Sequence, residues 1–89
     1  MVRKPVELVN KLGLHARAAS KLVQVANQFE CEIWIVNGHR RASAKSIMGV
    51  LMLAAPMGTE LILEASGDDE VQALEALSEL IAERFGEPE

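Results

Sequence analysis

Apolar positions in this chain follow two rhythms, one of alternation and one of helical spacing. Residues 2–9 alternate loosely with Val6 and Leu8 on one side, and Pro5, which has no N–H, assigns this strand to a sheet edge. From Ala16 to Asn27 the residues Ala19, Leu22, Val23 and Ala26 fall at helical spacing, with Phe29 closing the stripe. The helix they predict leaves Ser20, Lys21 and Gln24 in solvent. Residues 32–36 are rich in β-branched and aromatic side chains, and the Asn37-Gly38 pair after them predicts a tight hairpin into a short strand over 39–43. Ser46 opens a short helix from Ile47 to Leu53, closed by Pro56-Met57-Gly58.

A fourth strand follows at 60–65, with Leu61, Leu63 and Ala65 on one face, and Gly67-Asp68-Asp69 breaks it. The last helix is predicted over 69–85, with Val71, Leu74, Leu77 and Ile81 as its stripe, Phe85 near its end, and Glu75, Glu79 and Glu83 outside. Asp68 and Asp69 suit its start, where a carboxylate caps an amide and meets the helix dipole. The order βαββαβα predicts an α+β fold: an open-faced sandwich in which three helices cover one face of a four-stranded antiparallel sheet.

The 89 residues hold no linker, repeat or low-complexity tract, so a single domain over 1–89 is expected. Its longest apolar run, Val50 to Met57, is too short to span a bilayer, which leaves the cytoplasm as the expected location. One cysteine, Cys31, excludes an internal disulfide and reads as a half-buried structural thiol. His15, His39 and Cys31 lack metal-ligand spacing, and no glycine-rich nucleotide loop is present. Neither a metal nor a cofactor is therefore expected.

The net charge of −4 hides a segregation. Residues 1–59 carry eight basic and three acidic groups, and residues 60–89 one basic and ten acidic, which is +5 against −9. Lys11, Arg17, Lys21 and Lys45 form a basic face suited to acidic or phosphorylated partners. With Phe29, Trp34 and Phe85 as the only aromatic residues, no basic stripe with interleaved stacking rings is formed, which argues against nucleic acid.

His15 stands where a loop gives way to the first helix, two residues before Arg17. A helix start presents unpaired N–H groups and partial positive charge, so the backbone of Ala16, Arg17 and Ala18 suits the oxygens of a phosphoryl group carried on the ring. The same field disfavours imidazolium, leaving a neutral ring with a lone pair able to attack phosphorus. Arg17 adds a permanent charge and a planar fork of donors. Taken alone, the same residues also read as a helix-capping histidine beside a solvated arginine.

The two motifs Gly13-Leu14-His15-Ala16-Arg17 and Lys45-Ser46-Ile47-Met48-Gly49-Val50-Leu51, followed by Ala65-Ser66-Gly67, make the whole chain resemble the HPr family of histidine-containing phosphocarriers of the bacterial phosphotransferase system. The resemblance implies the same topology and a carrier that is not itself an enzyme. It implies that His15 accepts a phosphoryl group from enzyme I and passes it to an enzyme IIA-type partner, with Arg17 assisting. It also implies a second, regulatory phosphorylation at Ser46, by a serine kinase/phosphorylase and read by transcriptional regulators. Ser46 is independently a good helix N-cap, and both roles are compatible. One departure is Ala18, where the family usually has proline; a residue beside the reacting histidine is expected inside the docking face, so partner preference is affected.

Docking is expected to involve Ser20, Lys21, Lys45 and whatever Ile47, Met48, Leu51 and Met52 leave exposed, in a monomer presenting one face. A regulatory binding module, with phosphorylation only setting its affinity, is the alternative reading.

Overall fold

The computed structural model describes all 89 residues. Its elements are β1 (Val2–Glu7), α1 (Ala16–Ala26), β2 (Glu32–Asn37), β3 (Arg40–Ser43), α2 (Ile47–Met52), β4 (Glu60–Ser66) and α3 (Glu70–Ala82), then a 3-10 turn at Arg84–Gly86. The strands form one antiparallel sheet in the order β1-β4-β2-β3. As Pro5 required, β1 is an edge, and β3 is the other.

Alternation sorts the two faces of the sheet. Ile33 and Ile35 of β2 join Leu61, Leu63 and Ala65 of β4 in the core, against Ala18, Ala19, Leu22 and Ala26 of α1 and Ala73, Leu74, Leu77 and Ile81 of α3. On the open face, Glu64 forms an ion pair with Arg3 at 3.0 Å and accepts from Arg41 at 3.2 Å, and the Arg41 guanidinium lies 4.1 Å from the Trp34 ring centre.

Five local expectations are corrected. The hairpin loop is Gly38-His39, because Asn37 still pairs with Arg40; the positive φ of 61° falls on Gly38, and Asn37 turns its amide to the Leu53 carbonyl. Val23 is only half-buried, and Val71 is 53% exposed because α3 turns Ala73 rather than Val71 toward the sheet. Asp69 makes no cap to α3 and instead accepts from the Glu30 and Cys31 amides at 2.9 and 3.0 Å. Finally, α3 stops at Ala82, since Arg84 and Phe85 take left-handed conformations, φ 59° and 56°. Burial of the whole Phe85 ring offsets the cost of that backbone. This reversal, rather than a continued helix, sends the C-terminal residues back toward the start of α1.

Candidate functional site

Gly13 adopts φ +64°, and a Cβ there would lie 2.4 Å from the Ala55 carbonyl oxygen and 2.8 Å from Pro56 Cα. Only glycine allows the loop to pass this close, and Leu14 N–H then donates to that same Ala55 oxygen at 2.9 Å. His15 follows as the N-cap of α1 in extended conformation, its Nδ1 accepting from the Arg17 amide at 3.3 Å. Thus the imidazole sits at the positive end of an 11-residue helix, its ring partly exposed.

Arg17 is exposed, and its guanidinium forms no ion pair or hydrogen bond within the protein. It is free to meet an incoming anion. Ala16 and Arg17 are open to solvent, whereas Ala18 has no accessible surface. One expectation for Ala18 is therefore corrected: its side chain packs in the core rather than in a docking face. The reason is helical geometry, which points residue 18 inward with Ala19 and Leu22.

The structure also brings in residues that sequence reasoning missed. Glu87 places Oε2 2.5 Å from His15 Nε2, and its Oε1 accepts from Asn10 Nδ2 at 3.0 Å. Asn10, fully buried, donates from the same nitrogen to the Gly13 carbonyl at 2.8 Å. Burial works to raise the Glu87 pKa, but hydrogen bonds from Asn10 and His15, with the charges of His15 and Lys21 behind them, carry it below the usual carboxylate value. Lys11, Leu12, His15, Arg17, Glu87 and Pro88 line one open concavity around the ring. The only sequence signal for this partner was the acidic excess of the last third of the chain.

Other candidate residues are distributed differently. Ser46 is exposed and caps α2, its Oγ accepting from the Gly49 amide at 3.2 Å. Ile47, Met48 and Met52 are exposed, the two methionines at 66%, while Leu51 packs partly against the core. They stand on α2, which packs against α1. Ser20 is half-buried beside Gln24. Lys21 and Lys45 have structural partners: Lys21 donates to the Phe85 carbonyl at 2.7 Å and Lys45 to the Phe29 carbonyl at 2.6 Å. Cys31 is buried, and no helix is long and apolar enough to cross a membrane.

Residues 2–83 match the family described as "PTS HPr component phosphorylation site". The chain is 49% identical to phosphocarrier protein HPr of Neisseria meningitidis over 89 residues, all of both chains. Its fold superposes with a TM-score of 0.96 on HPr-C-His from Thermoanaerobacter tengcongensis, at 43% identity over the whole of both chains. A crystal structure of an HPr dimer from the same organism aligns at a TM-score of 0.79 and 44% identity, covering 98% of this chain and all of that one. An imidazole at a helix start, a free arginine beside it and a full-length match together place the chain in the HPr phosphocarrier family of the phosphotransferase system.

Proposed function

We propose that His15 receives a phosphoryl group from phosphorylated enzyme I and delivers it to an enzyme IIA-type partner. The observation that carries this reading is the position of His15 Nδ1 at the opening of α1, within reach of the Arg17 amide. As Nδ1 bonds to phosphorus, the donor's bond to phosphorus breaks and its electron pair leaves with the donor. The Arg17 amide then turns from the ring nitrogen to a phosphoryl oxygen, joined by the Ala16 amide and the Arg17 guanidinium. No part of this requires a cofactor, and all of these groups come from one chain, so a monomer suffices.

The exposed side chains of Ile47, Met48 and Met52, with Ser20 at their margin, form the docking surface for both partners. Ser46 stands at the start of that helix, where a phosphate meets free amides without unfolding it. Its charge repels an acidic enzyme I and attracts an arginine-bearing regulator, which makes Ser46 the control point for a serine kinase/phosphorylase.

Intact mass after incubation with enzyme I and phosphoenolpyruvate tests the central claim. An acid-labile gain of one phosphoryl group, absent from His15→Ala, is the expected result; no gain with a competent enzyme I overturns it.

A further inference from the structure

The family match ends at residue 83, yet the shortest polar contact of His15 is made by residue 87. We propose that Glu87 is a positioning residue for phosphoryl transfer, holding the imidazole by Nε2 so that Nδ1 alone is the nucleophile. The proposal rests on the reading of His15 as the phosphoryl acceptor.

The placement is built into the fold. Phe85 anchors the chain in the core, the left-handed residues Arg84, Phe85 and Gly86 reverse it, and Lys21 holds the Phe85 carbonyl. Residue 87 leaves this turn extended, φ −82° and ψ 149°. Its carboxylate then lies between two ligands on opposite sides, Asn10 Nδ2 on Oε1 and His15 Nε2 on Oε2, with only 10% of the side chain exposed. Asn10 is itself fixed by the Gly13 carbonyl. A carboxylate bonded at both oxygens and largely withdrawn from water has little freedom to leave the ring.

A neutral imidazole has one proton to place. Glu87 accepts it at Nε2, and the Arg17 amide needs a lone pair at Nδ1, so both hydrogen bonds select the same tautomer. When Nδ1 bonds to phosphorus, the ring keeps its Nε2 proton and acquires positive charge. Glu87 meets that charge from the ring edge opposite the phosphoryl group, so its own negative charge stays away from the phosphoryl oxygens. A carboxylate acting through a histidine in this way serves hydrolases with a serine nucleophile; here the imidazole itself is the nucleophile.

Two measurements on Glu87→Ala and Glu87→Gln test the assignment. Nitrogen NMR of the neutral His15 ring at alkaline pH is expected to show the Nε2–H tautomer in the parent chain and a mixture in Glu87→Ala. Rapid-quench transfer from phosphorylated enzyme I is expected to slow by roughly 10- to 100-fold in both variants, with the concentration dependence on enzyme I unchanged. Glu87→Gln keeps the shape of the side chain, so it still reports if the alanine variant loses its fold. A parent ring that is not Nε2–H, or variants that keep the parent rate within about twofold, would overturn the role of Glu87. Phosphorylation of the parent chain in the same experiment shows that the carrier reading stands regardless; its absence sinks the carrier reading instead.

Discussion

Lys21 and Phe85 lie 64 positions apart in sequence, yet the Lys21 ammonium donates to the Phe85 carbonyl at 2.7 Å, tying the middle of α1 to the turn that returns the chain to His15. Lys21→Met removes this charged hydrogen bond and is expected to cost about 1.5–3 kcal/mol in urea unfolding. Faster amide exchange should accompany it at residues 86 and 87, whose N–H groups close the turn onto Glu83 and Arg84. Unchanged exchange in this segment would show that the Phe85 ring holds the turn unaided.

Gly13→Ala introduces a Cβ against the Ala55 oxygen and Pro56 at a φ that alanine disfavours. A loss of more than about 1 kcal/mol is expected from backbone strain alone, with the clash adding to it. Because the Gly13 carbonyl holds Asn10, this variant should also slow phosphoryl acceptance by His15. Chemical denaturation and the transfer assay check the two effects separately.

Arg17→Lys keeps the charge and loses the planar fork. With no other partner for this side chain in the protein, the substitution should leave thermal stability within about 0.5 kcal/mol and slow transfer by about tenfold. Equal rates for the two chains would mean that charge, not geometry, is what the phosphoryl group requires.

Ser46→Ala removes the bond to the Gly49 amide and is expected to cost about 1 kcal/mol. Ser46→Asp retains a capping oxygen and adds charge, so it should keep stability while weakening acceptance from enzyme I. Calorimetry and a titration of rate against enzyme I concentration distinguish the two variants.

Burial, then the hydrogen bond and charge of Asp69, push the Cys31 thiol from its ordinary 9.0 up to about 11. Since the folded state holds this proton more tightly than the unfolded chain, the associated stability is complete below pH 9.0 and is lost as pH rises toward about 11. Asp69 has the opposite sign: the Glu30 amide first, then Cys31, lower its carboxyl below 3.8, so its contribution is present above that value and disappears on acidification through the folded-state value. Denaturation across pH should show both flanks, and Asp69→Asn should reduce the acid one, Glu87 supplying the remainder. Native Cys31 should react with a thiol reagent at pH 8 far more slowly than the unfolded chain.

Most of the fold was legible because its elements are short and strongly patterned: the alternation of Leu61, Leu63 and Ala65, the spacing of Ala19, Leu22 and Ala26, and Ser46 before Ile47 all read through local rules. His15 and Arg17 were legible for the same reason, since a helix start is a local feature. The errors fell where a distant partner decides. Asp69 is drawn from its own helix to the amides after α1, and the last turn of α3 yields to the buried Phe85. Glu87 could not be assigned to His15 because they lie 72 positions apart, and nothing in the spacing of either announces that the chain reverses at residue 85. Even at the hairpin, Asn37-Gly38 located the turn and misplaced its register by one residue, because the Asn37–Arg40 pair extends the ladder.

Glu64 joins both ends of the sheet at once, taking Arg3 from β1 and Arg41 from β3. Each end of the sheet thereby presents a cation to any approaching strand, and β1 further withholds one N–H at Pro5. A second copy meeting either end encounters like charge, and at β1 an interrupted ladder as well. Resistance to strand-by-strand aggregation is thus placed on the face away from the helices, leaving the helical face to evolve its apolar contacts without exposing the sheet to self-association.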